Sequence, residues 1–145
     1  YYAAYANYIT GWMNPKADKD KLAEKSRDLI AKAESIEKHS EIYCLHQMVA
    51  IQQMTVDPMT RWQTYGAEAR KALEDAKKAD PNNPRVYYLE GQTLFKTPEA
   101  YGGGKAAARK YAEKSVELFK TFQPASPLHP LWGKAEAEKL LADCQ

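Results

Sequence analysis

Gly102-Gly103-Gly104-Lys105 is the run whose residue types come nearest to holding an anion. Three glycines leave the backbone free to turn its N–H groups toward a ligand. A helix opening at Lys105 would add the positive end of its dipole, and the lysine a full charge. The phosphate-binding pattern G-x-x-x-x-G-K-[ST] nevertheless fails here. Ala106 stands where a hydroxyl would meet Mg²⁺, and Glu99, an anion, stands where the first glycine belongs. The reading is therefore a bend between two closely packed helices, with Gly103, Gly104 and Lys105 as a weak anion site at most.

The remaining chemistry-bearing residues do not assemble. His39, His46 and His129 fall at different points of the chain, and none is three or four residues from another histidine or a cysteine. Cys44 and His46, two apart, point to different faces of a helix. No metal site is expected. Ser26 lacks a Gly-x-Ser-x-Gly elbow and reads as a small packing residue. Glu34, Glu37, Glu68 and Glu74 alternate with lysines as solvated faces do. Without a base, an acid and an oxyanion donor in reach of one another, the expectation is no enzyme and no cofactor.

The elements that would position these residues are helical. Apolar spacing follows the helical period nearly everywhere, and no segment of four or more residues alternates as a half-buried strand does. Helices are expected over about 1–13, 18–38, 40–54, 60–79, 84–95, 105–122 and 131–143. They are punctuated by Asn14-Pro15, "TVDPMT", "DPNNP", the glycine run and "QPASPLHP". The second is expected to bury Leu22, Ser26, Leu29, Ile30, Ala33 and Ile36. At 145 residues the chain can bury a core unaided, and 21 basic against 19 acidic residues, interspersed, give no basic stripe for nucleic acid. No apolar run approaches the 18–20 residues or so that cross a bilayer. Cys44 and Cys144 fall on helices placed several layers apart, farther than the roughly 7 Å between Cα atoms that a disulfide tolerates, so two free thiols are expected. The chain opens mid-pattern at Tyr1 without a methionine and is expected to be trimmed. The lack of a leader is then uninformative, and residues upstream could complete the first repeat.

The helical pattern repeats. Tyr43, Tyr87 and Leu131 are spaced by 44 residues, and Ala33, Ala76 and Phe119 by 43. Such self-similarity marks stacked helix-turn-helix hairpins. The segment "AEARKALEDAKKADPNNPRVYYLEGQTLF" resembles the tetratricopeptide repeat. It has Ala69, Leu73 and Ala76 as its small-large-small pattern, Pro81 as its terminal proline, and Tyr87, Gly91 and Leu94 on the helix that follows. The period exceeds the family's 34 residues or so, with the excess in "TPEAYGGG" and around "TVDPMTRWQTYG". The combination of "DPNNPR", "PEAYGGGK" and "HPLWG" is similar in style to extracytoplasmic repeat proteins of Bacteroidetes-type bacteria. The resemblance implies an all-α, right-handed solenoid of about three hairpins in a single domain (about 1–39, 40–82 and 83–126) with a capping helix over about 127–145. It also implies a periplasmic or otherwise extracytoplasmic location.

In that family the first helix of each repeat lines a concave groove. The groove would then show Tyr2, Met48, Gln52, Arg85, Tyr88, Gln92 and Lys96, and the expected function is a non-catalytic scaffold for a protein or peptide partner. Tyrosine, methionine and arginine are interface residues, although Tyr2 and Tyr88 would serve equally as packing between hairpins. The alternative is a small-ligand carrier or transport accessory protein, with a pocket near Trp62, Tyr65 and Tyr101.

Overall fold

Local side-chain signals start several of the helices. Asp18 accepts the Lys21 N–H (3.1 Å) and so caps α2, Lys19–Ile36. The His39 ring nitrogen accepts the Glu41 N–H at the head of α3, Ser40–Met54. Asn83 accepts from Arg85 N (2.9 Å) ahead of Pro84, the first residue of α5, Pro84–Lys96. Each side-chain acceptor satisfies an N–H that a helix start leaves unpaired, and proline at the first position lacks only a donor the helix does not use. With α1 (Tyr2–Met13), α4 (Pro58–Ala79), α6 (Lys105–Thr121) and α7 (Lys134–Asp143), the computed structural model, which describes all 145 residues, is all-α: seven helices, a short 3-10 turn at Glu99–Tyr101, and no strand.

The chain divides into two compact units at the "DPNNP" turn, Tyr1–Asp80 and Pro81–Gln145. In the first, α3 is the central helix, packed by α1, α2 and α4, and it buries Cys44, Leu45, Val49 and Ala50. Its neighbours offer narrow stripes: Ala23, Ser26 and Ile30 on α2, and Ala69, Ala72 and Ala76 on α4. In the second unit α6 packs against α5 and α7 through Ala108, Ala112, Ser115 and Phe119. Small residues at helical spacing let the backbones come close. Each hairpin adds one buried serine whose hydroxyl donates to a carbonyl of the paired helix: Ser26 to Ala4, Ser40 to Ala76 and Ser115 to Pro84. Ser26 is thus a packing and bridging residue. Cys44 and Cys144 are buried free thiols.

Three expectations are corrected. Ile36, expected inward, is 87% exposed because α2 ends on it. Helix α4 begins at Pro58, two residues early, since a proline can open a helix. Helix α7 begins at Lys134, three residues late. Gly133 has φ +111°, left-handed backbone at the head of the helix, and its N–H donates to the Glu136 carboxylate (3.0 Å). Leu131 is therefore a loop residue, exposed, and not the helical counterpart of Tyr43 and Tyr87.

Candidate functional site

Most of the residues assigned to a groove are inside the protein. In the first unit Met48 and Gln52 are buried. Gln52 donates from Nε2 to the Tyr8 carbonyl (2.9 Å) and lies against Gly11, where a Cβ would stand 2.8 Å from it. In the second unit Arg85 is 0% exposed. It donates to the Pro130 carbonyl (2.7 Å), and its guanidinium carbon lies 5.0–5.5 Å from the ring centres of Phe119, Phe122 and Trp132. Tyr88 is buried, packs edge-on to Trp132 and accepts a hydrogen bond from Gln92 (2.8 Å). Only Tyr2 and Lys96 are open to solvent. A side chain already enclosed cannot recognise a partner, so Met48, Gln52, Arg85 and Tyr88 are structural residues.

The glycine run is a turn. Gly102 (φ +83°) closes the 3-10 turn, and Gly104 (φ +94°) leads into α6. Gly103 N donates to the Pro98 carbonyl (3.2 Å) and Gly104 N to the Leu94 carbonyl (2.9 Å). A Cβ on Gly103 would lie 2.1 Å from the Thr97 oxygen, and the Glu99 side chain covers Gly104. Two of the expected anion donors are thus already bonded, and a carboxylate sits beside them. Lys105 is exposed at the head of α6, but Gly103 and Gly104 are not an anion cradle.

A different surface gathers aromatic residues. On α1 and the residue before it, Tyr1, Tyr5, Tyr8 and Trp12 follow one face at spacings of four, three and four. Their ring centres lie 6.0, 6.2 and 6.4 Å apart, a continuous stripe of about 16 Å at the helical rise. Burial pushes the Tyr8 phenol above the ordinary value, against a lowering hydrogen bond from Trp12. The stripe ends at Trp12, which is exposed, with the Lys19 ammonium 4.5 Å from its ring centre. The end of α1, the start of α2, the end of α3 and the start of α4 all meet here. Lys19 reaches back to Trp12, and Arg61 on α4 binds Asp20 on α2 (2.7 and 3.0 Å) and the Gln53 carbonyl on α3 (3.2 Å). Trp12, Met13, Val56, Met59 and Trp62, all exposed, therefore share one end of the unit. Scattered exposed apolar residues need no explanation, but five toward one end make it the candidate interaction surface. Of the residues expected to frame a ligand pocket, Trp62 belongs to this end. Tyr65 lies half-buried behind it, between the Arg27 and Arg61 guanidinium groups. Tyr101 is on the 3-10 turn of the other unit, exposed.

Behind Tyr65 runs a polar network. Arg27 forks onto the Glu68 carboxylate and donates to Gln53 (2.6 Å), while His46 Nε2 lies 2.7 Å from Glu68 and its Nδ1 3.8 Å from Glu34. Burial draws the Glu68 carboxyl upward, but hydrogen bonds from Arg27 and His46 outweigh it and hold the group below its ordinary value. The Arg61 hydrogen bonds hold Asp20 low in the same way. A shallow hollow of about 190 Å³, lined by Arg27, Ile30, Ala31, Glu34 and His46, opens beside the network. His46 Nε2 is bonded to the Glu68 carboxylate, His39 caps α3, and His129 packs on Phe122 (5.5 Å between ring centres). No group of three or more histidine, cysteine or acidic side chains is arranged to hold a metal ion, and no helix is long and apolar enough to cross a membrane.

No protein-family model and no curated protein matches the chain. Among solved structures it is similar to the HusA haemophore from Porphyromonas gingivalis. The two are 41% identical over 99% of this chain and 72% of that one, with a TM-score of 0.90. A haemophore relative overturns the expectation of a protein- or peptide-binding scaffold.

Proposed function

We propose that the chain is a haem-binding carrier, and the premise is its family: it belongs with the HusA haemophore. The observation that carries the reading is the 41% identity to that protein across nearly the whole chain. The site supports it in kind. A flat, apolar ring with acidic edges calls for aromatic faces to stack on and cations beside them. The end of the first unit offers Trp12, Trp62, Met13 and Met59, with Lys19 and Arg61 adjoining. The role is capture and transfer rather than catalysis. A haemophore meets its ligand outside the cell, so the proposal includes an extracytoplasmic location.

The same reading takes the hairpins as tetratricopeptide-like units. In each unit the third helix packs on both members of the hairpin before it, α3 on α1 and α2, and α7 on α5 and α6.

The test is a titration with haemin followed by the Soret absorbance and by quenching of tryptophan fluorescence. Saturable one-to-one binding is expected, and Trp12→Ala should weaken it about fivefold, since one ring contact is worth about 1 kcal/mol. The exposed position of Trp12 leaves the fold intact in that variant. A linear, unsaturable response would sink the carrier reading; binding unaffected by Trp12→Ala would move the site elsewhere.

A further inference from the structure

We infer that Lys19, flanked by Lys16 and Lys21, reads the acidic groups of the ligand. The site then selects a flat apolar ring bearing carboxylates over the same ring without them. The inference rests on the carrier reading and adds what the ligand must present.

Lys19 and Lys21 occupy the first turn of α2, the end of a helix whose dipole favours anions. Helix stability does not account for cations there. The acids of the same turn are already engaged: Asp18 caps the helix by accepting from Lys21 N, and Asp20 is held by the Arg61 fork. Lys21 reaches Asp18 only at 4.0 Å, with both side chains mostly in solvent. Lys16 is exposed in the turn between α1 and α2. The contact that Lys19 makes is with the face of Trp12, 4.5 Å from the ring centre, at the open end of the aromatic stripe. A ring stacked at this end would meet Lys19 at its edge, where the aromatic face has already stripped part of the ammonium's water. There a carboxylate pairs more strongly than with a fully solvated lysine. Haem carries two propionate carboxylates on one edge, so its chemistry fits an ammonium held at the edge of an aromatic platform, as Lys19 is at Trp12.

The experiment compares haemin with its dimethyl ester, whose ring is unchanged and whose acids are neutral. Both are titrated into the parent chain, Lys19→Ala and Lys19→Arg at low salt, with the parent repeated in 0.5 M salt. The parent is expected to prefer the acid form by about two- to fivefold, the range of partly exposed ion pairs. Lys19→Ala should lose most of that preference while keeping its affinity for the ester. Lys19→Arg should retain the preference, and salt should shrink it. Equal affinity of the parent for acid and ester would overturn the inference and leave the carrier reading standing. So would a Lys19→Ala variant that weakens both forms alike, because the lysine would then act on packing. Binding of neither form would overturn the carrier reading and this inference with it.

Discussion

Arg85 shows how little a residue's type says about its place. Arginine is mostly a surface residue, and at the head of a helix expected to line a groove it reads as a contact for a partner. The structure puts it at the centre of the second unit, donating to Pro130 and enclosed by Phe119, Phe122 and Trp132. Those rings lie 34, 37 and 47 residues farther along the chain, on α6 and the loop that follows. No local pattern around Arg85 could have announced them. Trp12 is the opposite case, since its place on one face with Tyr1, Tyr5 and Tyr8 follows from spacing alone. Its exposure and the lysine above it do not, because they depend on where α2 begins. The two residues make contrasting predictions. Arg85→Ala should leave the first unit's surface untouched but lower stability by about 2–4 kcal/mol, through a lost charged hydrogen bond and the space left among three rings. Urea melts followed by circular dichroism check this, and an unchanged midpoint would contradict the enclosed arrangement.

Helices were legible because their boundaries are written in residue types with fixed backbone consequences: Asp18, Asn83-Pro84, Asn14-Pro15 and "DPNNP" start or stop them within a residue or two. The shifted starts of α4 and α7 share a cause, which is that a proline or glycine can be used in more than one way. Pro58 opens α4 instead of preceding it, and Gly133 holds α7 back by taking left-handed backbone. The glycine run turned out to be tied down by its neighbours' carbonyls, a property of the fold around it and not of the run. Glycines within helices divide similarly by what faces them. On α5, a Cβ at Gly91 would lie 3.2 Å from Leu140, 3.3 Å from the Tyr111 Cβ and 3.4 Å from the Ala108 oxygen, so this glycine sets how closely α5 approaches α6 and α7. On α4, a Cβ at Gly66 would find only the Met54 sulfur, 3.9 Å away. Gly91→Ala is therefore expected to destabilise by about 1–2 kcal/mol through overpacking. Gly66→Ala should stabilise by about 0.5–1 kcal/mol, since alanine loses less backbone freedom in a helix. Thermal melts of the pair test this, and the two variants shifting in the same direction would refute it.

At the scale of the whole molecule, composition excluded more than it assigned. Balanced, interspersed charge spoke against nucleic acid, and the helical repeat fixed the all-α class, but both suit a scaffold as well as a carrier. What separates them is which side chains end up outside, and burial of Met48, Gln52 and Tyr88 is decided by contacts no periodicity encodes. The charge network of the first unit is a further product of folding: Asp20 meets Arg61 and Arg27 meets Glu68, each across 41 residues of chain. It gives stability a definite dependence on acid. Hydrogen bonds from Arg61 hold the Asp20 carboxyl below its ordinary 3.8. At Glu68 burial acts upward, and the bonds from Arg27 and His46 overcome it to hold the group below 4.5. A carboxyl whose pKa is lower in the folded than in the unfolded chain binds fewer protons when folded. Its contribution is complete above the unfolded value and disappears as pH falls through that value to the folded one. Stability of the first unit should thus be level above about pH 5.5 and decline as pH drops through 4.5 and 3.8. Glu68→Gln is expected to cost on the order of 1 kcal/mol at neutral pH, after allowance for solvent screening. Its penalty should shrink in acid, as the parent's own carboxyl takes up its proton. Urea unfolding of parent and variant at pH 7 and pH 3, read by tryptophan fluorescence and circular dichroism, measures both terms. A penalty that persists undiminished at pH 3 would show that Glu68 acts through its shape and not its charge.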